Sequence, residues 1–315
     1  MRGIICLGEA LIDFIPADRT NTLYEKCPGG APANVSVGVA RLSGKSTFLG
    51  KVGDDILGNF LKNTLMDKNV NIDYMKYTKE ARTGVVFVEL DESGERSFSF
   101  YINPSADRFL KEEDIDEDLF KENKILHFGS ISMISEPSRS ATKKAVKLAK
   151  DNNMLVSYDP NLRLGLWESE EDAREIIISM LSSADILKIS DEELEFITGE
   201  SNIEKGLSVM DKYNIPLIFV TMGSRGSYFK FKGEITKVES MKVETVDTTG
   251  AGDAFVSGIL YSINEEDRNL SQLSREDIIN ITKFGSICGA LAASSKGAMT
   301  SLPSIEDVNK IKAAI

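Results

Sequence analysis

The sequence predicts an α/β fold: a mainly parallel sheet covered by helices, with a small second sheet standing off it. Three observations lead there. From residue 119 to the strand near 220, short apolar runs alternate with helical periodicity in βα units of about 30 residues. The interval 72–103 breaks this rhythm with apolar–polar alternation, the signature of a β-hairpin with one apolar face. Two junctions of tiny residues, Gly29-Gly30-Ala31 and Gly250-Ala251-Gly252, each lead into a helix.

Taken in order, GIICL (3–7) is a continuous apolar run before Gly8, as expected of a buried parallel strand, and loops at the carboxyl ends of such strands form sites. Asp13 stands alone among apolar residues, either holding sugar hydroxyls or acting as a strand-end turn acid. Residues 14–28 read as irregular and polar. The helix after Gly29-Gly30 carries Ala33, Val37 and Ala40 for close packing on a sheet and stops at Gly44. Asn34, one turn into it, has poor helical propensity and can present its amide to hydroxyls.

STFLGKV (46–52) is the next strand. The amphipathic helix after it has Ile56, Leu57, Phe60, Leu61 and Leu65 on its apolar side. VVFVEL and RSFSFYI then form the hairpin, turning at 91–94, with part of 14–28 as a neighbour. Such a sheet can close over a site as a lid or pair with a second copy, and the two roles are compatible. Strands in ILHFGS, MLVSYDP, ADILKIS and PLIFVTMG alternate with helices, and a hairpin turning at 232–234 delivers the chain to the second junction. The remainder reads as three helices, 251–263, 275–294 and 304–314.

Composition excludes several function classes. The 37 basic and 49 acidic residues give a net charge of −12, which disfavours nucleic acid or an anionic membrane as partner. An anionic substrate would need a local positive site. No apolar run approaches the roughly 18 residues of a spanning helix, no signal peptide is evident, and a cytoplasmic location is expected. Cys6, Cys27 and Cys288 are far apart and in no metal spacing, as expected of reduced structural thiols. His127, the single histidine, reads as a hydrogen-bonded strand residue, which argues against histidine triads and histidine metal clusters.

The stretch 243–260 carries chemistry in outline. Gly250, Ala251 and Gly252 allow backbone N–H groups to approach an anion, and the helix they open adds its positive dipole end. Asp253, in the first turn, is expected to be ionised there and able to accept a proton from an alcohol attacking a phosphoryl group. The alternative is an ordinary glycine turn followed by an acidic first-turn residue.

Together, GGAPANVSVGVARLSG and DTTGAGDAFVSGIL resemble the paired signatures of the ribokinase-like (PfkB) carbohydrate kinases, and the likeness runs from CLGEALIDF to KGAMTSLP. GEALIDF, FLGKVGDDILG, FYINPSAD, DPNLRLGLW and LKISDEEL resemble the fructokinase branch. The resemblance implies a three-layer α/β/α sandwich with a mainly parallel central sheet. It also implies one domain over 1–315, with a β lid from about 14–28 and 72–104 inserted in it. The implied activity is transfer of the γ-phosphoryl group of ATP to a sugar hydroxyl, O6 of D-fructose in the fructokinase branch. Alternatives are 2-keto-3-deoxygluconate or aminoimidazole riboside as acceptor and, outside the enzymes, a non-catalytic sugar or nucleotide sensor.

Carried over by position, Asp253 matches the family's catalytic base and Gly250, Ala251 and Gly252 its anion hole. Asp13, Gly30 and Asn34 match sugar-hydroxyl contacts. Thr221, Gly223 and Gly226 match the nucleotide-binding segment. Glu193 matches the glutamate that helps organise Mg²⁺ and phosphate, with Ser190 where the family has asparagine. Asp247, Thr249, Ala292, Ser295, Gly297 and Ser301 match positions that bind a monovalent cation, here K⁺. Lys188 or Arg163 is the expected counter-charge to phosphate, with Lys188 and Ser190 assigned to the nucleotide and Arg163, which can contact phosphate or substrate, assigned to the substrate. A solvated strand-end lysine, an arginine packed on Trp167 and, for Glu193, a helix-start acid are the alternatives. Ile102 stands where relatives carry a lid arginine that helps bind a keto-acid carboxylate, which favours a neutral sugar. Family members also form homodimers through the lid.

Overall fold

The computed structural model describes residues 2–91 and 96–314. The chain opens with β1 (Gly3–Leu7), β2 (Leu11–Pro16), β3 (Tyr24–Gly29), α1 (Ala31–Arg41), β4 (Ser46–Gly53), α2 (Ile56–Asp67) and β5 (Met75–Thr78). The hairpin β6 (Val85–Leu90) and β7 (Arg96–Tyr101) follows. Strand–helix alternation resumes with β8 (Asn123–Phe128), α3 (Ser138–Asp151), β9 (Leu155–Tyr158), α4 (Glu170–Leu181) and β10 (Ile186–Ser190). Then come α5 (Asp191–Thr198), α6 (Ile203–Val209), β11 (Leu217–Thr221), β12 (Ser227–Phe231) and β13 (Glu234–Val238). The chain ends with α7 (Ala251–Glu265), α8 (Arg275–Ala293) and α9 (Ile305–Ala314).

The expected α/β class is borne out by a nine-stranded sheet in the order β13-β12-β11-β10-β9-β8-β1-β4-β5. It is parallel from β11 to β5, and the β12–β13 hairpin closes one edge in antiparallel fashion. Continuous burial of GIICL follows from helices on both faces: Ile5 and Leu7 face one core, Ile4 and Cys6 the other. The first core takes Ala145 and Ala149 of α3, Ile177 of α4 and Leu194 of α5; the second takes Val35 of α1, Phe255 and Ile259 of α7 and Ile281 of α8. These are the three layers expected. No helix among the described residues is long and apolar enough to cross a membrane.

A separate four-stranded sheet, in the order β3-β2-β6-β7, holds the alternating segment. The expectation of irregular chain over 14–28 is corrected: β2 and β3 pair antiparallel from Leu11↔Gly29 to Pro16↔Tyr24. The segment looks polar because β3 is an edge strand with Glu25 and Lys26 exposed, and Asp18 draws Thr20 and Thr22 into the turn between strands. The turn expected at 91–94 lies largely outside the described residues. Alternation sorts this sheet into two faces. Asp13, Val86 and Phe100 lie in register on one, and Phe14 and Phe87 on the other.

Both chain crossings around the small sheet are pinned to the large one. Before β6, Asp55 accepts from the Thr83 N–H (2.9 Å) and hydroxyl (2.8 Å) while capping α2. After β7, buried Lys51 of β4 donates to the Phe109 carbonyl (2.9 Å) and pairs with Asp114 (2.5 Å). Two local expectations shift. Helix α1 ends at Arg41, before Gly44, because Ser43 takes the left-handed turn at φ 68°. Ile56 is 84% exposed, since the first residue of α2 precedes the turn in which Leu61 and Leu65 enter the core.

Candidate active site

The loop after β9, the carboxyl end of β10, the starts of α5 and α7 and β7 of the small sheet line a cleft of about 1010 Å³. Phe98 and Phe100 of the small sheet line it on one side, and Arg163, Lys188, Gly250 and Asp253 on the other. A crevice at the carboxyl ends of parallel strands is where α/β sheets expose backbone and loop groups to ligands.

Residues far apart in sequence meet here. The Asn34 amide of α1 donates to Asp253 Oδ2 of α7 at 2.8 Å, joining the two glycine-rich junctions side chain to side chain. Gly250 caps α7 at φ 77°, and a Cβ there would lie 2.9 Å from the Ala298 Cα. Gly30 sits at φ 100°, where a Cβ would lie 2.5 Å from the Glu9 carbonyl. Both turns therefore exclude larger residues on space and backbone conformation alike. The Ala251 N–H already donates to Thr248 O (3.1 Å), so it is not a free anion donor in this state.

Burial dominates the titration of the acids. It pushes Asp253 up to about 6, with Asp159 adding to the rise and Asn34, Lys188 and Arg163 opposing it. The sequence argument from the helix dipole alone points the other way; desolvation outweighs it. Asp13, in mid-strand on β2, is likewise raised to about 6 by burial and by the charge of Asp253, with Arg163 opposing. The two acids therefore titrate as a coupled pair across the cleft.

Lys188 is largely enclosed, its side chain 13% exposed, and not a free surface lysine: its ammonium lies 3.1 Å from Asp159 Oδ2 and 3.5 Å from the point a Cβ on Gly252 would occupy. Burial would lower its pKa, but the surrounding charges of Asp159, Glu193 and Asp253 raise it, so it carries its charge. Arg163 is exposed and donates to the Leu162 carbonyl (3.0 Å). Its charge is felt by both Asp13 and Asp253.

Glu193 forms a capping box with Ser190 at the start of α5. Its Oε2 accepts from Ser190 N (2.7 Å), its Oε1 from Leu162 N (2.8 Å), and Ser190 Oγ accepts from Glu193 N (3.0 Å). It braces the loop carrying Arg163. Thr221 ends β11 beside Ser190, and Gly223 and Gly226 turn the chain after it at φ 56° and 89°.

Asp247 is buried against the 293–301 loop. Its Oδ1 accepts from Thr249 N (2.9 Å) and Oγ1 (2.7 Å), and its Oδ2 from Gly297 N (3.2 Å). Ala292 O accepts from Ser295 N (3.2 Å), and Ser301 Oγ donates to Ala298 O (3.0 Å). This cluster lies behind the Gly250 turn, apart from the acceptor side. His127 is a buried strand residue bonded to Ser157 Oγ (3.1 Å); burial lowers its pKa to about 3, and it is neutral. Ile102 is buried against Gly84.

Two acids escaped sequence reasoning. Asp159 begins the DPNL loop as Lys188's partner. Glu9, 3% exposed, accepts from the first amide of α1, Ala31 N (3.1 Å), and burial together with the charges of Asp107 and Asp253 raises it to about 8. The folded protein thus keeps the Glu9 proton that the unfolded chain loses near the ordinary value of 4.5. That contribution to stability is complete below this pH and is lost as pH rises through about 8. Glu9→Gln, which cannot ionise, should lose less Tm than the wild type between pH 5 and pH 8.5 in thermal melts; equal slopes would refute this.

Comparison with known proteins places the chain. The pfkB family carbohydrate kinases match residues 1–305. A probable chloroplastic fructokinase-6 of Arabidopsis thaliana is 47% identical over 98% of this chain and 81% of its own length. A fructokinase double mutant from Vibrio cholerae O395, in fructose-, ADP- and potassium-bound form, superposes with a TM-score of 0.90 at 40% identity, covering 98% of each chain. Aminoimidazole riboside kinase from Salmonella enterica superposes at 0.88 and 28% identity, covering 99% of each chain.

Proposed function

The chain belongs to the pfkB family of carbohydrate kinases, and from that premise we propose that it is a fructokinase, transferring the γ-phosphoryl group of ATP to O6 of D-fructose. One observation carries the mechanism: Asp253, at the head of α7 and bonded to Asn34, faces Asp13 on the small sheet. An alcohol held by Asp13 and Asn34 lies in reach of Asp253, which takes its proton as the oxygen attacks. The head of α7 and Lys188 face the phosphate as charge develops. The aromatic wall of Phe98 and Phe100 excludes water, the competing acceptor. The identity to fructokinases over nearly the whole chain supports fructose as that alcohol.

Mg²⁺ would enter with the nucleotide. Among the described residues no group of three acidic, histidine or cysteine side chains can hold a metal, and both Glu193 oxygens accept from backbone amides, which fits an indirect role. When bound, Mg²⁺ neutralises phosphate charge. The oxygen-only cluster around Asp247, with Thr249, Ser295, Ser301 and the carbonyls of the 292–298 loop, fits a potassium ion held behind the Gly250 turn. On the small sheet's outer face, Phe14, Tyr24, Phe87 and Tyr101 pack ring to ring, with Tyr101 64% exposed, which supports a homodimer through this face. The working compartment of this reading is the cytoplasm.

A coupled ADP assay with D-fructose, 2-keto-3-deoxygluconate and aminoimidazole riboside decides the acceptor. Fructose should give the highest kcat/KM. Preference for the keto-acid or the riboside would replace the proposal, and sugar binding without ADP release from any acceptor would make the protein a sensor.

A further inference from the structure

We propose that Asp159 is a positioning residue of this reaction: it fixes Lys188 beneath the head of α7 and thereby sets the charge that Asp253 works against. Asp159 touches neither Asp253 nor the place of the transferred group; it acts through Lys188. This rests on the reading of Asp253 as the base.

The geometry is specific. Asp159 is 4% exposed, and its two oxygens have separate tasks. Oδ1 accepts from Asn161 N (3.2 Å), turning the chain after β9 with Asn161 at φ 48°. Oδ2 pairs with Lys188 at 3.1 Å from the adjacent strand. The Asp159 backbone is fixed as well, its N–H donating to Phe128 O (3.1 Å). A fixed carboxylate thus holds a long flexible side chain in one place, and that place is 3.5 Å from the Cβ position of Gly252. Without its partner, a lysine with four rotatable bonds would leave the buried position, where a lone ammonium is penalised by desolvation.

The charged and polar groups facing Asp253 come from every element around it. They are Asn34 of α1, Asp13 of β2, Glu9 of the loop after β1, Asp159 and Arg163 of the loop after β9, and Lys188 of β10. Asp159 and Lys188 act on the base with opposite signs, and neither is among the groups that shift Asp13. Removing either charge therefore leaves a signature that loss of packing cannot imitate.

The experiment is the pH profile of kcat at saturating sugar and ATP, with Tm measured alongside. Asp159→Asn keeps the acceptor for Asn161 N and removes the negative charge; plateau kcat should fall about tenfold as Lys188 loses its place, and the acid limb should move down by less than roughly one pH unit, because the displaced Lys188 charge offsets part of the fall. Lys188→Met should move the limb in the opposite direction. A folded Asp159→Asn protein with wild-type kcat and an unmoved limb overturns the proposal, as does a lower Tm with both kinetic features unchanged. If Asp159→Asn does not fold, Asp159→Glu replaces it: the charge is kept but displaced by one methylene, so reduced kcat with the limb held supports the proposal and wild-type kcat overturns it. Failure of the base assignment is separate, because it would show as turnover retained by Asp253→Asn.

Discussion

Asp253→Asn is expected to keep the fold and lower turnover by about 10²–10⁴-fold, the range for loss of a general base. Asparagine preserves the size of the side chain and an oxygen for the Asn34 amide at 2.8 Å, so the loss isolates proton transfer. The pH profile supplies an independent check. The base works when deprotonated and burial holds Asp253 near 6, so wild-type kcat should fall as pH drops through about 6. Near-wild-type turnover in a folded Asp253→Asn protein would end the mechanism proposed here. The raised pKa suits the task, because a carboxylate titrating near 6 is a better proton acceptor than one at the ordinary value of 3.8, yet is still ionised at pH 7.

Asp13→Ala should act on the other substrate. A carboxylate accepting from a sugar hydroxyl contributes about 1.5–3 kcal/mol, so kcat/KM for fructose should fall about 10–150-fold while KM for ATP stays near the wild-type value. Gly29 shows how closely this carboxylate is seated, since a Cβ there would lie 2.2 Å from Asp13 Oδ2. Removing the Asp13 charge should also lower the pKa of Asp253, because the two acids repel each other across the cleft. Equal loss of affinity for ATP and sugar would instead mean that Asp13 only braces the β2–β3 hairpin.

The parallel strands β1, β4 and β8 to β11 were legible because each is a short apolar run next to a helix, and helices on both faces leave no polar side to blur the pattern. Strand β5 (MKYT) was not, and the expected lid over 72–104 is corrected there, since Met75–Thr78 pairs with β4 in the large sheet. The two glycine-rich junctions were legible for a different reason: Gly30 and Gly250 occupy backbone conformations that side chains rarely adopt, so composition betrays them. The β2–β3 pairing was hidden, because an edge strand with exposed Glu25 and Lys26 looks like loop. Asp159 was hidden more deeply. In DPNL it looks like any strand-end turn acid, and its partner Lys188 lies one βα unit away, a separation that no local pattern records. The ionisation of Asp253 at neutral pH was legible from the helix start, but the rise of its pKa to about 6 was not, because depth of burial is invisible in sequence.

The separation of Asp13, on the small sheet, from Asp253, at the head of α7, has an evolutionary consequence. The groups expected to recognise the acceptor are Asp13 of β2, Asn34 of α1 and the Gly30 turn before it, while those facing phosphate lie on α7 and at the end of β10. Apart from the Asn34–Asp253 bond and the charge coupling of Asp13 with Asp253, mutations in one inventory leave the other in place. A lineage can therefore change what it phosphorylates and inherit the chemistry intact, and the close superposition of this chain on both a fructokinase and an aminoimidazole riboside kinase is what such a history would leave.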